Sequence, residues 1–159
     1  MGQAIIRLKK LRNKQDGFTT IELLAVVIVI GILLSLVFAT YTGVQRNNRN
    51  QERQRDVQGV YQQLEAYYVE SSNYPTLTDI NSSSWRAISM KTLDKESLRD
   101  PSSKSYSLVA KPAKNAYSYD VTAADGGSCD NIGRICAHYT LTATLEGTAQ
   151  NTYVKSSLN

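Results

Sequence analysis

Histidine is almost missing from this chain. Of 159 residues, one is His, two are Cys, three are Pro and one is Trp. With His138 alone, a metal centre built on several histidines is excluded. Cys129 and Cys136 have six residues between them, so they lack the C-x-x-C spacing of redox and zinc sites. No Ser/His/Asp, Cys/His or paired-carboxylate set stands out, and no phosphate-binding glycine loop is found. The chain is therefore expected to be no enzyme, with no catalytic residue, no metal ligand and no cofactor. Net charge is also missing from most of it. Arg7, Lys9, Lys10, Arg12 and Lys14 against Asp16 account for the whole formal excess of +4, and residues 18–159 are neutral. Residues 18–159 thus lack the overall positive charge of a nucleic-acid binder.

What the sequence has is one long apolar run. Residues 23–39 are interrupted only by Gly31 and Ser35. As a helix, residues 18–39 would extend about 33 Å, close to the thickness of a bilayer hydrocarbon core. The basic tail before the run predicts a cytoplasmic N-terminus. A cleavable secretory signal would have a shorter apolar stretch and a clear small-x-small site, and residues 38–42 match such a site poorly. Glu22 stands inside the 18–39 segment, just before the run, where an unpaired carboxylate costs several kcal/mol. It either reaches the membrane edge or waits for a positive partner.

The local sequence Gly17-Phe18-Thr19-Thr20-Ile21-Glu22, between a short basic leader and an apolar helix, resembles the processing site of type IV prepilins. Pseudopilins of type II secretion and competence systems share it. Gly31 and Tyr41 also fall where pilins often carry Gly and Tyr, whereas Ala39 stands where many carry Pro. The resemblance implies a prepilin peptidase/N-methyltransferase that cuts between Gly17 and Phe18 and methylates the new amine. It also implies that Phe18 and Glu22 act in assembly, the Glu22 carboxylate of one subunit facing the Phe18 amine of its neighbour. The implied partners are further copies of the chain in a helical homopolymer, the membrane before assembly, and the pilus assembly machinery.

Beyond the membrane segment the helix is expected to continue. Residues 45–56 are polar, with Arg46, Arg49, Arg53 and Arg55 against Glu52 and Asp56. These arginines read as a solvated or subunit-facing helix with local pairs such as Arg49 with Glu52, against the alternative of a DNA-contacting stripe. Val57, Val60, Tyr61, Leu64, Tyr67 and Tyr68 then recur on one helical face that needs a head to pack on. Asn73-Tyr74-Pro75 ends the helix near residue 71. Short helices are expected over 84–90 and 94–99, the second capped by Asp94 and closed by Asp100-Pro101. Asn81-Ser82-Ser83 fits a glycosylation acceptor, a pattern common by chance.

Strands are expected over 106–110, 116–121 and 138–145, with a weak edge strand over 148–156. In the third, Tyr139, Leu141, Ala143 and Leu145 share one face, opposite His138 and three threonines. His138 reads as an ordinary edge residue. A disulfide between Cys129 and Cys136 is the expected state in an exported head. Asp125, Asp130 and Asn131 read as turn caps rather than calcium ligands. Ten tyrosines exceed what a small head buries, so several should be half-exposed.

The expected fold is α+β: a long N-terminal helix, apolar in its membrane or filament half, packed by its C-terminal half on a small antiparallel sheet. Its parts are a removed leader (1–17), a transmembrane or filament-core half (18–40), an amphipathic half (41–71) and a head (72–159). The main expectation is a structural pilin of a type IV pilus-like filament serving adhesion, motility or uptake. The alternatives are a pseudopilin of a type II secretion or competence system and a DNA-binding uptake subunit. A single-pass anchored recognition domain comes last. The chain is expected in the cytoplasmic membrane first, then in an extracellular pilus or a periplasmic or cell-wall pseudopilus.

Overall fold

The computed structural model describes residues 17–147 and 151–159. The expected leader, Gly17 apart, lies outside the described residues, as does the start of the expected edge strand at 148–150. The chain divides into two compact units, Met1–Tyr41 and Thr42–Asn159.

Helix α1 spans Thr20–Ser71, within two residues of the expected limits. In the second unit its apolar stripe does what the spacing predicts. Val57, Val60 and Leu64 are buried, and Tyr61, Tyr67 and Tyr68 pack half-buried against the same core. The helix stops because Ser72 turns left-handed (φ 56°) and Pro75 follows. Ser72 N–H still closes onto Tyr68 O at 2.8 Å.

Two short helices follow, α2 (Leu77–Asn81) and α3 (Ser83–Ser89). The first is not anticipated by apolar periodicity. Its signal is Thr76-x-x-Asp79, a capping box in which the Thr76 side chain accepts from Asp79 N–H and Asp79 accepts from Thr76 N–H. Asp94 caps a 3-10 turn at Lys95–Leu98, as expected.

The sheet is an antiparallel meander of β1 (Tyr117–Thr122), β2 (His138–Thr144) and β3 (Thr152–Ser156), with β2 central. Tyr119 pairs with Leu141, and Thr142 with Val154. The expected strand at 106–110 does not form. Only Val109 bridges to Ser118, in parallel. The Asn81 amide replaces a ladder partner: its Nδ2 donates to Leu108 O at 2.9 Å and its Oδ1 accepts from Leu108 N–H at 2.8 Å. That also commits Asn81 to packing rather than to an open acceptor loop.

Tyr139, Leu141 and Ala143 point into the core with Tyr117 and Tyr119, as the alternation predicts. The opposite face is less open than its threonines suggest, since the cross-strand partners Ser118 and Thr142 are buried too. Buried tyrosines reach polar partners with their hydroxyls. Tyr117 donates to Asp56 at 2.7 Å, Tyr139 to Glu65 at 2.7 Å, and Tyr119 to Pro75 O at 2.8 Å. Burial pushes the Tyr74 phenol up to about 12. Burial also raises the Asp56 carboxyl, and the Tyr117 hydrogen bond offsets part of that rise. Tyr41 and Tyr106 remain exposed, so the tyrosines divide between core and surface as expected.

Candidate functional site

At its N-terminus α1 is closed by Thr19 and Glu22. Thr19 Oγ1 accepts Glu22 N–H at 3.3 Å, while Glu22 Oε2 accepts from Thr19 N–H at 2.9 Å and Thr19 Oγ1 at 2.8 Å. This reciprocal capping box gives Glu22 a local structural use that its position in an apolar run did not suggest. Its Oε1 takes no hydrogen bond from the described residues.

Phe18 is 85% exposed, and each large apolar side chain between Ile21 and Phe38 is exposed as well, on every side of the helix. A helix apolar all round belongs inside a bilayer or a bundle. Among the described residues, α1 alone is long and apolar enough to cross a membrane. A Cβ on Gly17 would meet nothing within 4 Å. The described fold therefore has no steric need for glycine there.

The arginines of the polar stretch behave differently from expectation. No Arg49–Glu52 pair forms. Arg49 reaches Glu146 instead, with Nε at 3.0 Å from Oε1 and Nη2 at 2.6 Å from Oε2. Arg53, 1% exposed, forks onto the equally buried Asp100 at 2.7 and 3.1 Å and also pairs with Glu146 at 2.7 Å. Asn50 bonds both backbone groups of Glu146. Sequence spacing reveals i,i+3 and i,i+4 neighbours only, so partners 47 and 97 residues away were invisible. Burial pulls the Arg53 guanidinium down in pKa, but hydrogen bonds to Asp100 and Glu146 outweigh it and raise it. Arg49 beside Glu146, helped by Arg53, holds that carboxyl at about 2. A continuous open arginine stripe therefore does not exist, because two of its four members fasten α1 to the head.

Cys129 and Cys136 form a disulfide. The loop between them is fixed by the residues expected to cap turns. Asp130 Oδ1 accepts the N–H groups of Ile132, Gly133 and Arg134. Asn131 donates to Tyr74 O at 2.7 Å and accepts Cys136 N–H at 2.8 Å. Asp125 pairs with Arg134 and accepts Gly127 N–H. His138 lies half-buried on β2, its Nδ1 2.7 Å from Asn159 O.

A helix apolar on all sides that continues into the spine of a small antiparallel α+β head is a pilin-like arrangement. Over 66 residues the chain is 32% identical to the type II secretion system core protein G of Dickeya chrysanthemi, covering 42% of this chain and 43% of that protein. With the protein of the same name from Vibrio cholerae serotype O1 it is 36% identical over 69 residues, 43% of this chain and 47% of that one. With that of Escherichia coli K12 it is 33% identical over 64 residues, 40% and 44%. The chain thus spans less than half the length of these relatives. No family model and no solved structure matches. The relatives bear out the resemblance to the pilin and pseudopilin family, and they fit the secretion alternative more closely than the surface pilus.

Proposed function

We propose that this chain is a pseudopilin of a type II secretion system, a structural subunit stored in the cytoplasmic membrane and drawn into a periplasmic filament. The observation that carries the reading is the stretch of α1 up to residue 38, apolar and exposed on every side, with a carboxylate at its start. In this reading a prepilin peptidase cuts on the cytoplasmic side between Gly17, which offers no side chain to obstruct it, and Phe18. The methylated Phe18 amine stays cationic. Glu22, held through Oε2 by its own Thr19, turns Oε1 to the amine of the next copy. An ion pair in a low-dielectric bundle gains little overall, but an unmatched carboxylate there costs more, so the pairing selects one axial register. The partners are copies of this chain, the peptidase/methyltransferase and the membrane assembly machinery.

N-terminal sequencing of the protein from cells should begin at Phe18. Glu22→Ala should insert into the membrane as well as the parent yet give far less filament by shearing and sedimentation. A native chain starting at Met1, or undiminished filament from the variant, overturns the reading. The disulfide loop favours a surface pilin as the second reading. Deleting the gene separates the two: lost protein secretion marks the pseudopilin, and lost surface fibres with secretion intact mark the pilin.

A further inference from the structure

The two edges of the sheet are finished differently. On the β1 side, Val109 N–H donates to Tyr117 O at 2.9 Å and Tyr119 N–H donates to Val109 O at 2.8 Å, so a neighbouring segment closes that edge. On the β3 side, the ladder to β2 is bounded by Leu145 N–H on Asn151 O at 2.8 Å and Ser157 N–H on Tyr139 O at 3.1 Å. Bonded and non-bonded pairs alternate along an antiparallel ladder. Tyr153 and Lys155, opposite Ala143 and Leu141, therefore bond β2 through their backbone. Thr152, Val154 and Ser156 turn their N–H and C=O groups to the outer edge, where they meet no partner among the described residues.

Edge strands are commonly blunted by proline, by bulges or by charge. Thr152, Val154 and Ser156 carry no charge and include no proline, and Val154 is 47% exposed. The charge of β3 is on its other face. There the Lys155 ammonium lies over the rings of Tyr61 and Tyr153, at 5.3 and 5.8 Å. A lysine so placed disfavours an added strand with an apolar inner face and favours one with carboxylates there. Tyr153 also borders a cleft of about 520 Å³, lined in part by Gln51, Gln54, Arg55, Gln58 and Gln62 of α1. A strand added to β3 would set its inner side chains beside Tyr153, at this cleft. No carboxylate lines the cleft, and Arg55 reaches only the Gln51 amide, at 3.4 Å.

We propose that the free edge of β3 accepts an extended segment of another polypeptide, with carboxylates at alternate positions turned toward Arg55 and Lys155. Alternating backbone donors and acceptors are matched by a β-strand, and two cations without a counter-charge select its inner face. A second copy does not supply such a segment. In this sequence, carboxylates two positions apart occur only at Asp94 and Glu96, which are fixed in the 3-10 turn. The site lies wholly within the unit Thr42–Asn159, so it stands whether or not the secretion reading holds.

The test is fluorescence anisotropy of the full chain in neutral detergent with a labelled, end-capped peptide alternating valine with glutamate, or valine with lysine. The glutamate peptide should bind with a Kd below about 1 mM, about tenfold more tightly than the lysine peptide, and should slow amide exchange at Val154. Val154→Pro removes one outward N–H and leaves the Tyr153 and Lys155 bonds to β2, so it should abolish binding with circular dichroism unchanged. Arg55→Gln should lower the preference for glutamate to about threefold. Lys91→Gln with Lys104→Gln, elsewhere on the surface, should change neither. With the parent chain, N-methylation of every second peptide residue should abolish binding in one of its two frames, a readout that needs no variant to fold. Absence of binding, binding kept by Val154→Pro or in both methylated frames, or equal affinity for the two peptides overturns the proposal. So does a Val154 amide already protected without peptide in a self-associated chain, which assigns the edge to a second copy.

Discussion

Arg53 shows what a single charged residue can demand of a fold. Its guanidinium and the Asp100 carboxylate are each 1% exposed, and Ser102 and Asn50 complete the hydrogen bonds. Such a pair adds little net stability compared with apolar residues, yet breaking one side leaves a buried charge alone. Arg53→Met should therefore cost about 3–5 kcal/mol in urea unfolding of the detergent-solubilised chain. Arg53→Met combined with Asp100→Leu should recover much of that loss. Equal losses in the single and double variants would contradict a buried pair. Glu146 makes a separate prediction about pH. Its folded pKa is lowered to about 2 from an ordinary value of 4.5. Between those values the unfolded chain binds more protons, so stability rises with pH there. The Glu146 contribution is complete above pH 4.5 and is lost as pH falls to about 2. Glu146→Gln should flatten that part of a thermal-stability profile and leave the part above pH 5 without slope from this group.

At the scale of elements, legibility followed the range of the interactions. The limits of α1 and the caps at Thr76 and Asp94 depend on residues within four positions, and the sequence carries them openly. The capping boxes at Thr19–Glu22 and Thr76–Asp79 follow an S/T-x-x-acid pattern, which spacing of apolar residues alone does not reveal. The alternation of β2 was clear because period two survives on a strand with one core face. The strand missing at 106–110 and the use of Arg49 and Arg53 were hidden, since each depends on a partner more than 25 residues away. The Asn81 clasp is one such element. Asn81→Ala should leave Leu108 without that pairing at a cost of about 1–3 kcal/mol, and amide exchange at Leu108 should speed up while β2 stays protected. The disulfide loop is another. Its seven-residue separation closes a small ring, so Cys129→Ser with Cys136→Ser should cost about 2 kcal/mol. Asp130 and Asn131 should keep its turn, and the loss should appear as a lower melting temperature with unchanged far-UV circular dichroism.

For the whole molecule, the decisive contrast is between two solvents. Each buried hydrophobic among the described residues, from Val57 to Ala143, belongs to the unit Thr42–Asn159. The other unit presents Phe18, Ile21 and the apolar side chains up to Phe38 without burying one of them. Burial of apolar area drives folding, so the head has its driving force within itself and the first unit has its own only in lipid or among copies. A chain reduced to residues 42–159 should therefore be soluble, monomeric by sedimentation and cooperative in urea, because the Arg53 network, the disulfide and the Tyr core are all retained. The intact chain should require detergent or membrane under the same conditions. A fragment with native-like far-UV but no near-UV circular dichroism would mean that the first unit supplies packing to the head, and the division into a self-sufficient head and an externally solvated helix would be wrong.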